Sequence, residues 1–380
     1  MLKLVIAPDS FKDALSAFDV ASAIGEGIRQ ANIPVELFLL PMGDGGEGFS
    51  DLFTHYHKSQ TIHLPVQDPL GRPIEAQYAL SEDGQIACIE MAQAAGLELL
   101  SHPERNCMHT STFGTGEMIR DALDKGVQEI IIGLGGSATC DAGVGMANAL
   151  GYRFYNGDGI LIQPVGKDLK DVAQINIQHI HPRLPSVKVY IASDVENPLH
   201  GPSGAAHVFG PQKGASSVEV LHLDQGLQHM DTLLSRLVDQ PVGQVPGAGA
   251  AGGMGAGCMS FLQGELISGA ALVGGWAHLE KHLVGADLVI TGEGKLDTQS
   301  KDGKLISYIL KAAQKEKVPV MALCGTLGLD AEGLESMGLV FAQSILTKPS
   351  DLPAALKFTR EGLKLAAYSA FKLYNLGRSM

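Results

Sequence analysis

The chain has 380 residues, a formal net charge of -13, 45% hydrophobic residues and 18% charged residues. Its length predicts two domains, and its composition is typical of a folded globular protein and argues against disorder. No run of Lys and Arg occurs, which argues against nucleic-acid binding, because neutralising a phosphate backbone requires a basic surface.

The cysteines and the apolar segments predict a cytoplasmic protein that does not cross a membrane. The five cysteines are scattered without a CxxC pair, which favours reduced thiols over a zinc site or disulfides. Charge and a proline occur too early in residues 1–10 for a signal peptide. The uncharged segment 240–263 is too rich in glycine to be a spanning helix.

The first sixty residues follow the pattern of a β-α-β unit. A β-branched apolar run over 2–7 predicts a strand, helical spacing predicts a helix over 16–31, and 35–40 predicts a second strand. A further helix is predicted to begin within GEGFSDLF. In a parallel sheet, the loops after these strands would share the edge where ligands bind.

The pattern changes to short alternating segments between residues 61 and 89, which predict antiparallel strands. Strands follow over 129–132 and 187–192, and each of these two could belong to either sheet. The doubly wound pattern then returns. Its predicted strands and helices are 288–290, 303–315, 319–324, 339–342 and a final helix from about 352.

The two chain ends therefore predict one sheet and the middle predicts another. We expect residues 1–60 and 275–380 to form a flavodoxin-like, doubly wound parallel sheet with strand order 2-1-3-4-5. Residues 61–274 would form an inserted α/β domain with a mixed sheet. The active site would lie in the cleft between these domains.

Two acid-bearing glycine turns give the strongest functional signal. PMGDGGEG, over 41–48, carries Asp44 and Glu47, which would share one side if a helix has already begun there. TGEGKLD, over 291–297, follows a predicted strand. Glycines let a backbone approach an anionic ligand, and carboxylates can hold a divalent cation or accept a proton. These turns predict a phosphate-handling enzyme.

Three other turns carry suitable groups, each with a structural alternative. PDSFK places an acid, a hydroxyl and Lys12 after the first strand, as an ordinary N-cap would. GLGGSATCDAG predicts an anion-binding nest of amides, or else tight packing of a helix on a strand. In SDVENP, Asp194 could deprotonate a hydroxyl, hold a metal or form an Asx-turn.

Other nucleotide-binding patterns are weak or missing in the sequence. It contains no P-loop, protein-kinase motif or zinc-binding histidine spacing. One GxGxxG match, at Gly247, Gly249 and Gly252, has no strand before it. That match favours a closely packed helix start over a dinucleotide site, and its amides could also bind a phosphate.

Taken together, the motifs closely resemble the type I glycerate kinases, or glycerate 2-kinase family. The resemblance spans nearly the whole chain in order and includes IAPDSFK, PMGDGGEG, EMAQAAGL, TFGTGEMI, IIIGLGGSATCDAGVGMANALG, SDVENPLHGPSGAAHVFGPQKGA, GAGAAGGMGAG and DLVITGEGKLDTQSKDGK. It implies phosphorylation of D-glycerate by ATP, usually at the 2-hydroxyl, with Mg²⁺. It also implies a flavodoxin-like domain with a second α/β domain. A homodimer is one expected assembly, without nucleic acid or membrane as partners.

Phosphoryl transfer depends mainly on positioning and charge neutralisation, and these needs suggest a role for each candidate residue. The predicted catalytic residues are Asp194, Lys12 and Asp44. Asp194 would orient or deprotonate the hydroxyl, while Lys12, or else Lys213, would bind the glycerate carboxylate. Some of Glu293, Asp297 and Asp44 would hold Mg²⁺. The predicted substrate and phosphate contacts are Asp9, Ser10, Glu47, Gly135, Gly136, Ser137, Asn197, Lys213, Gly292, Gly294, Lys295 and Lys304.

Three alternatives stay open at this level. The first is a nicotinamide oxidoreductase built on GAGAAG, which the missing strand disfavours. The second is a non-catalytic ligand-binding protein of the same fold. The third is a kinase of another small hydroxy acid.

Overall fold

The computed structural model describes residues 1–297 and 305–379. Strands in these ranges are β1 (Leu2–Ile6), β2 (Val35–Leu39), β3 (Ser59–Gln67), β4 (Pro73–Ser81), β5 (Ile86–Glu90), β6 (Glu129–Gly133), β7 (Arg153–Tyr155), β8 (Leu161–Ile162), β9 (Gln174–Asn176), β10 (Lys188–Ala192), β11 (Glu265–Ile267), β12 (Leu288–Leu296), β13 (Val320–Leu327) and β14 (Phe341–Ser344). Helices are α1 (Ala17–Gln30), α2 (Phe49–Tyr56), α3 (Ala92–Ala95), α4 (Phe113–Asp124), α5 (Val144–Ala149), α6 (Ala205–Phe209), α7 (Ser217–Val238), α8 (Ala250–Phe261), α9 (Gly269–Trp276), α10 (Leu279–Leu283), α11 (Leu305–Lys315), α12 (Ala331–Met337) and α13 (Leu352–Ser379).

The chain divides into two compact units. Unit 1 comprises Met1–Asp44 and the described residues from Ala270 onward, and unit 2 comprises Gly45–Gly269. The predicted domain boundaries and the predicted cleft site between domains stay predictions.

Unit 1 contains a five-stranded sheet in the order β14-β13-β12-β1-β2, with every neighbouring pair parallel. This result confirms the predicted order 2-1-3-4-5 and the flavodoxin-like class. Helix α1 begins after Ser16, whose side chain accepts the amide N–H of Asp19 at 3.2 Å. Its buried residues Val20, Ile24 and Ile28 recur at helical spacing and join the core with α13 and the sheet.

Strand β12 extends further than the sequence predicts. The segment 291–297 looked like a turn, but β12 runs to Leu296 and pairs with β13 as far as Leu327. The prediction of a turn was wrong because parallel pairing satisfies the backbone groups of this glycine-rich segment. A Cβ at Gly292 would lie 2.4 Å from the carbonyl oxygen of Leu323, so only glycine fits there.

Unit 2 contains a six-stranded sheet in the order β11-β10-β6-β5-β4-β3. Strands β5, β6, β10 and β11 are parallel, whereas β3 and β4 pair antiparallel, which confirms the predicted mixed sheet. The strands over 129–132 and 187–192, left open by the sequence, both belong here. The register aligns Glu90, Gly133, Ala192 and Ile267 at the carboxyl edge. A small sheet, β8-β7-β9, completes the unit's strands within the described residues.

The GxGxxG segment, the cysteines and the question of a membrane-spanning helix were also subjects of sequence predictions. The GxGxxG segment enters helix α8, and a Cβ at Gly255 would lie 2.1 Å from the Gly247 carbonyl oxygen, as close packing requires. All five cysteines are free and buried. Among the described residues, no helix has the length and apolar character needed to traverse a bilayer.

Candidate active site

Three carboxylates belong to adjacent strands, or to the segments that follow them, on the carboxyl side of the unit 1 sheet. Asp9 lies beyond β1, Asp44 lies beyond β2, and Glu293 lies on β12; all three are partly buried. Backbone hydrogen bonds fix these segments, since the Asp9 N–H donates to the Gly292 carbonyl at 2.9 Å and the Met42 N–H donates to the Pro8 carbonyl at 2.9 Å. The carboxyl edge of this sheet therefore brings three acidic side chains together.

The pKa of Asp9 is raised, in part because these acids repel one another. Burial and the neighbouring charge of Asp44, together with that of Glu293, raise the pKa of Asp9 well above its ordinary value. The Ser10 N–H donates to Asp9 Oδ1 at 2.7 Å and opposes this rise in pKa. Clustered carboxylates whose ionisation is disfavoured attract a cation.

The donor set at this edge fits Mg²⁺ in a partial coordination sphere. Within residues 1–297 and 305–379, no three or more His, Cys, Asp or Glu side chains form a ready metal cage. Mg²⁺ usually takes one or two carboxylates and completes its octahedron with waters and substrate phosphates. The hard oxygens of Asp44 and Glu293 suit that mode. Asp297, a third predicted ligand, pairs with Lys295, whose Nζ lies 2.7 Å from Asp297 Oδ2.

The other predicted residues of unit 1 that the structure describes lie on the segment after β1 or on β12. Lys12 is exposed in a tight turn closed by a bridge between Phe11 and Leu15. A Cβ at Gly294 would lie 3.8 Å from the backbone nitrogen of Lys12, so the two segments run close together. Lys304 lies outside the described residues.

In unit 2, the glycine loop 45–48 lies on the carboxyl edge of its sheet. Gly45 has φ +94°, and its carbonyl accepts the Gly135 N–H at 3.1 Å. Helix α2 begins only at Phe49, after Gly48 in the left-handed region at φ +79°. Asp44 and Glu47 were expected to share one side only if a helix had already begun, and this condition is not met because both precede the helix. Glu47 is exposed.

The turn at 135–137 combines packing with polar groups. A Cβ at Gly135 would lie 2.2 Å from Gly46 Cα, which supports the packing interpretation for this glycine. Gly136 has φ +72°, and Ser137 forms a backbone bridge with Gly96. Because α5 begins only at Val144, the turn is not directly ahead of a helix.

Lys213 lies buried behind this turn. It is 3% exposed, and its Nζ donates to Ser137 Oγ at 2.6 Å and to the Thr139 carbonyl at 2.8 Å. Burial lowers the pKa of Lys213, while Cys140, Cys107 and Asp141 act to raise it. The amine therefore contacts the turn through the Ser137 hydroxyl. Lys213 would act on an anion bound at the turn through this hydroxyl.

The segment after β10 carries the two remaining candidates. Asp194 is partly buried beyond Ser193, whose N–H donates to the Ile267 carbonyl at 3.1 Å. The Val195 N–H donates to Ser193 Oγ at 3.3 Å, so Ser193 takes part in this local turn. Asn197 organises its own loop, since its Nδ2 donates to the Ser203 carbonyl at 2.8 Å.

Comparisons with known proteins identify the family. The glycerate kinase family matches residues 4–375. A glycerate kinase of Halalkalibacterium halodurans is 43% identical over 94% of both chains. The glycerate 2-kinase of Escherichia coli is 40% identical over 99% of this chain and 100% of its own. A crystal structure from Salmonella typhimurium LT2, described as a glycerate kinase 2, has TM-score 0.83 at 40% identity, with all of both chains covered.

The chain belongs to the glycerate kinase family. It is therefore a phosphotransferase that uses ATP as phosphate donor and a hydroxyl of glycerate as acceptor. The oxidoreductase alternative built on GAGAAG is set aside by this family and by the packing of α8.

Two buried acids of this glycerate kinase were missed by sequence reasoning. Asp141 accepts hydrogen bonds from Thr112 Oγ1 at 2.8 Å and from the amide N–H of Gly143 at 3.1 Å, so it fixes the helix starts of α4 and α5. Glu90 closes β5 at 2% exposure, and burial raises its pKa to about 7. The available signal was an acid at the end of a buried apolar strand, in CIEM.

Proposed function

We propose that this glycerate kinase phosphorylates the 2-hydroxyl of D-glycerate with ATP and Mg²⁺, yielding 2-phosphoglycerate. The observation that carries the proposal is the convergence of Asp9, Asp44 and Glu293 at one sheet edge, where a phosphate-bound cation is favoured. The E. coli relative named glycerate 2-kinase supports the choice of hydroxyl. Cytoplasmic location and a homodimer stay predictions.

In unit 1, the carboxylates would hold the cation. Mg²⁺, when bound, would neutralise phosphate charge, with Asp44 and Glu293 as its protein ligands and Asp297 as a further candidate. Lys295 would release Asp297 or bring a positive charge to the phosphates. Lys12, exposed beside Gly294, would bind the carboxylate of glycerate.

In unit 2, the turns would bind phosphates and activate the acceptor. Ser137 and the amide of Gly136 would bind phosphate oxygens, with Lys213 orienting the Ser137 hydroxyl from behind. Asp194 would take the proton of the 2-hydroxyl as that oxygen attacks the γ-phosphorus. The bond between the γ-phosphorus and the bridging oxygen breaks, and ADP leaves with the electron pair.

A coupled ADP-release assay tests this function. We expect turnover with D-glycerate and ATP that requires added Mg²⁺ and ends when EDTA is in excess. L-glycerate, glycolate and lactate serve as competing hydroxy acids. Phosphorus NMR of the product should show 2-phosphoglycerate. A product phosphorylated at the 3-hydroxyl, or faster turnover of another hydroxy acid, would overturn the proposal.

A further inference from the structure

A buried carboxyl at the end of β5 has no role in the transfer described above. Glu90 accepts hydrogen bonds from the amide N–H groups of Gly48 and Ser50, at the start of α2. Its Oε2 has no hydrogen-bond partner among the described residues, although the residue is 2% exposed. Burying an acid this incompletely paired disfavours the folded chain. Its presence therefore calls for a reason other than core packing.

The glycine loop beside Glu90 is anchored at its other end by the sheet. A Cβ at Gly45 would lie 2.6 Å from the backbone oxygen that ends β10. The Gly45 carbonyl also accepts the Gly135 N–H, at 3.1 Å. Glu47 thus lies between two fixed points, Gly45 on the sheet and Gly48 on Glu90. Removing either anchor is expected to loosen the loop that carries Glu47.

We propose that Glu90 is a positioning residue for phosphoryl transfer, whose carboxylate holds the first amides of α2 and so fixes the loop 45–48 and Glu47. The inference rests on the proposed function and on the sequence prediction that Glu47 contacts the substrates. A helix N-terminus stabilises an ionised carboxylate, and charge-assisted hydrogen bonds are about twice as strong as neutral ones. The ionised form of Glu90 therefore holds the loop more firmly than the neutral form.

The charge on Glu90 changes near neutral pH. Burial raises its pKa to about 7. The titratable groups that face it are Glu47 on the loop, Asp51 on α2 and the thiol of Cys88 on β5. Above pH 7 the carboxylate is ionised and the loop is held, whereas below pH 7 the neutral acid holds it less well.

Hydrogen exchange combined with kinetics tests the role of Glu90. Glu90→Gln keeps the shape and removes the charge, and Glu129→Gln, at the amino end of β6 in the same sheet, is the matched control. We expect Glu90→Gln to speed amide exchange over 45–56 by roughly 10-fold and to lower kcat/KM for ATP by roughly 10-fold. It should also abolish the rise in kcat/KM near pH 7. The control should change none of these.

Unchanged exchange over 45–56 in Glu90→Gln would overturn the proposal, whatever the activity. Faster exchange with an unaltered kcat/KM and pH profile would overturn it too, because loop order would then not matter for transfer. If Glu90→Gln fails to fold, Glu90→Asp serves instead, with faster exchange and a retained pH dependence expected. If the wild type does not phosphorylate glycerate, the proposed function fails, and exchange over 45–56 still decides whether Glu90 holds the loop.

Discussion

The carboxyl edges of the two sheets carry different arrangements of charge. In unit 1, burial and the neighbouring carboxylates of Asp44 and Glu293 raise the pKa of Asp9. In unit 2, a buried amine, Lys213, stands behind a glycine turn and donates to Ser137. Both edges arise from parallel strands, so the topology does not decide the charge. The loop residues decide it, and under the proposed function one edge would bind a cation and the other would bind anionic oxygens.

The largest effect is expected from the acid that we assign to the acceptor hydroxyl. Asp194→Asn should lower kcat by about 10²- to 10⁴-fold with little change in KM, because proton transfer is needed in the transition state. Steady-state kinetics measure it, with the exposed Asp158→Asn as control. Near-normal turnover would show that Asp194 is not the base. The acids of unit 1 would then be the next candidates for this role.

A smaller effect is expected from the cation of unit 2. Lys213→Met should lower kcat/KM for ATP by roughly 10- to 100-fold, the equivalent of losing one hydrogen bond from a charged group. Lys188→Met, at the exposed start of β10, should leave kinetics unchanged. If Lys213→Met keeps full kcat/KM, Ser137 needs no support from behind. The hydrogen bond from Lys213 to Ser137 would then have only a structural role.

The smallest effect is expected at the cation edge of unit 1. Asp44→Asn should raise the Mg²⁺ concentration for half-maximal rate by about 10-fold, because one ligand charge is lost. Titration of Mg²⁺ at saturating ATP and glycerate measures this change. Asp13→Asn, exposed in the turn after β1, provides the comparison. Equal Mg²⁺ dependence in both variants would show that Asp44 does not hold the cation.

Local sequence chemistry determined much of this protein. Apolar runs predicted β1 and β2, and helical spacing of apolar residues predicted α1. Each of these signals lies in the element's own side chains. The strand order of unit 1 and the mixed sheet of unit 2 followed from the arrangement of such elements along the chain. Glycines next to acids marked Asp44 and Glu293, because backbone freedom and a carboxylate are both visible in a few residues.

Tertiary structure decided what depends on distant neighbours. Pairing with β13 made residues 291–296 of the predicted turn part of a strand, because hydrogen bonds from a remote segment outweighed glycine's local preference. Folding placed Lys213 within hydrogen-bond distance of Ser137. Burial raised the pKa of Glu90 to about 7. Burial and like-charge repulsion depend on which groups folding brings together, and spacing along the chain does not reveal that.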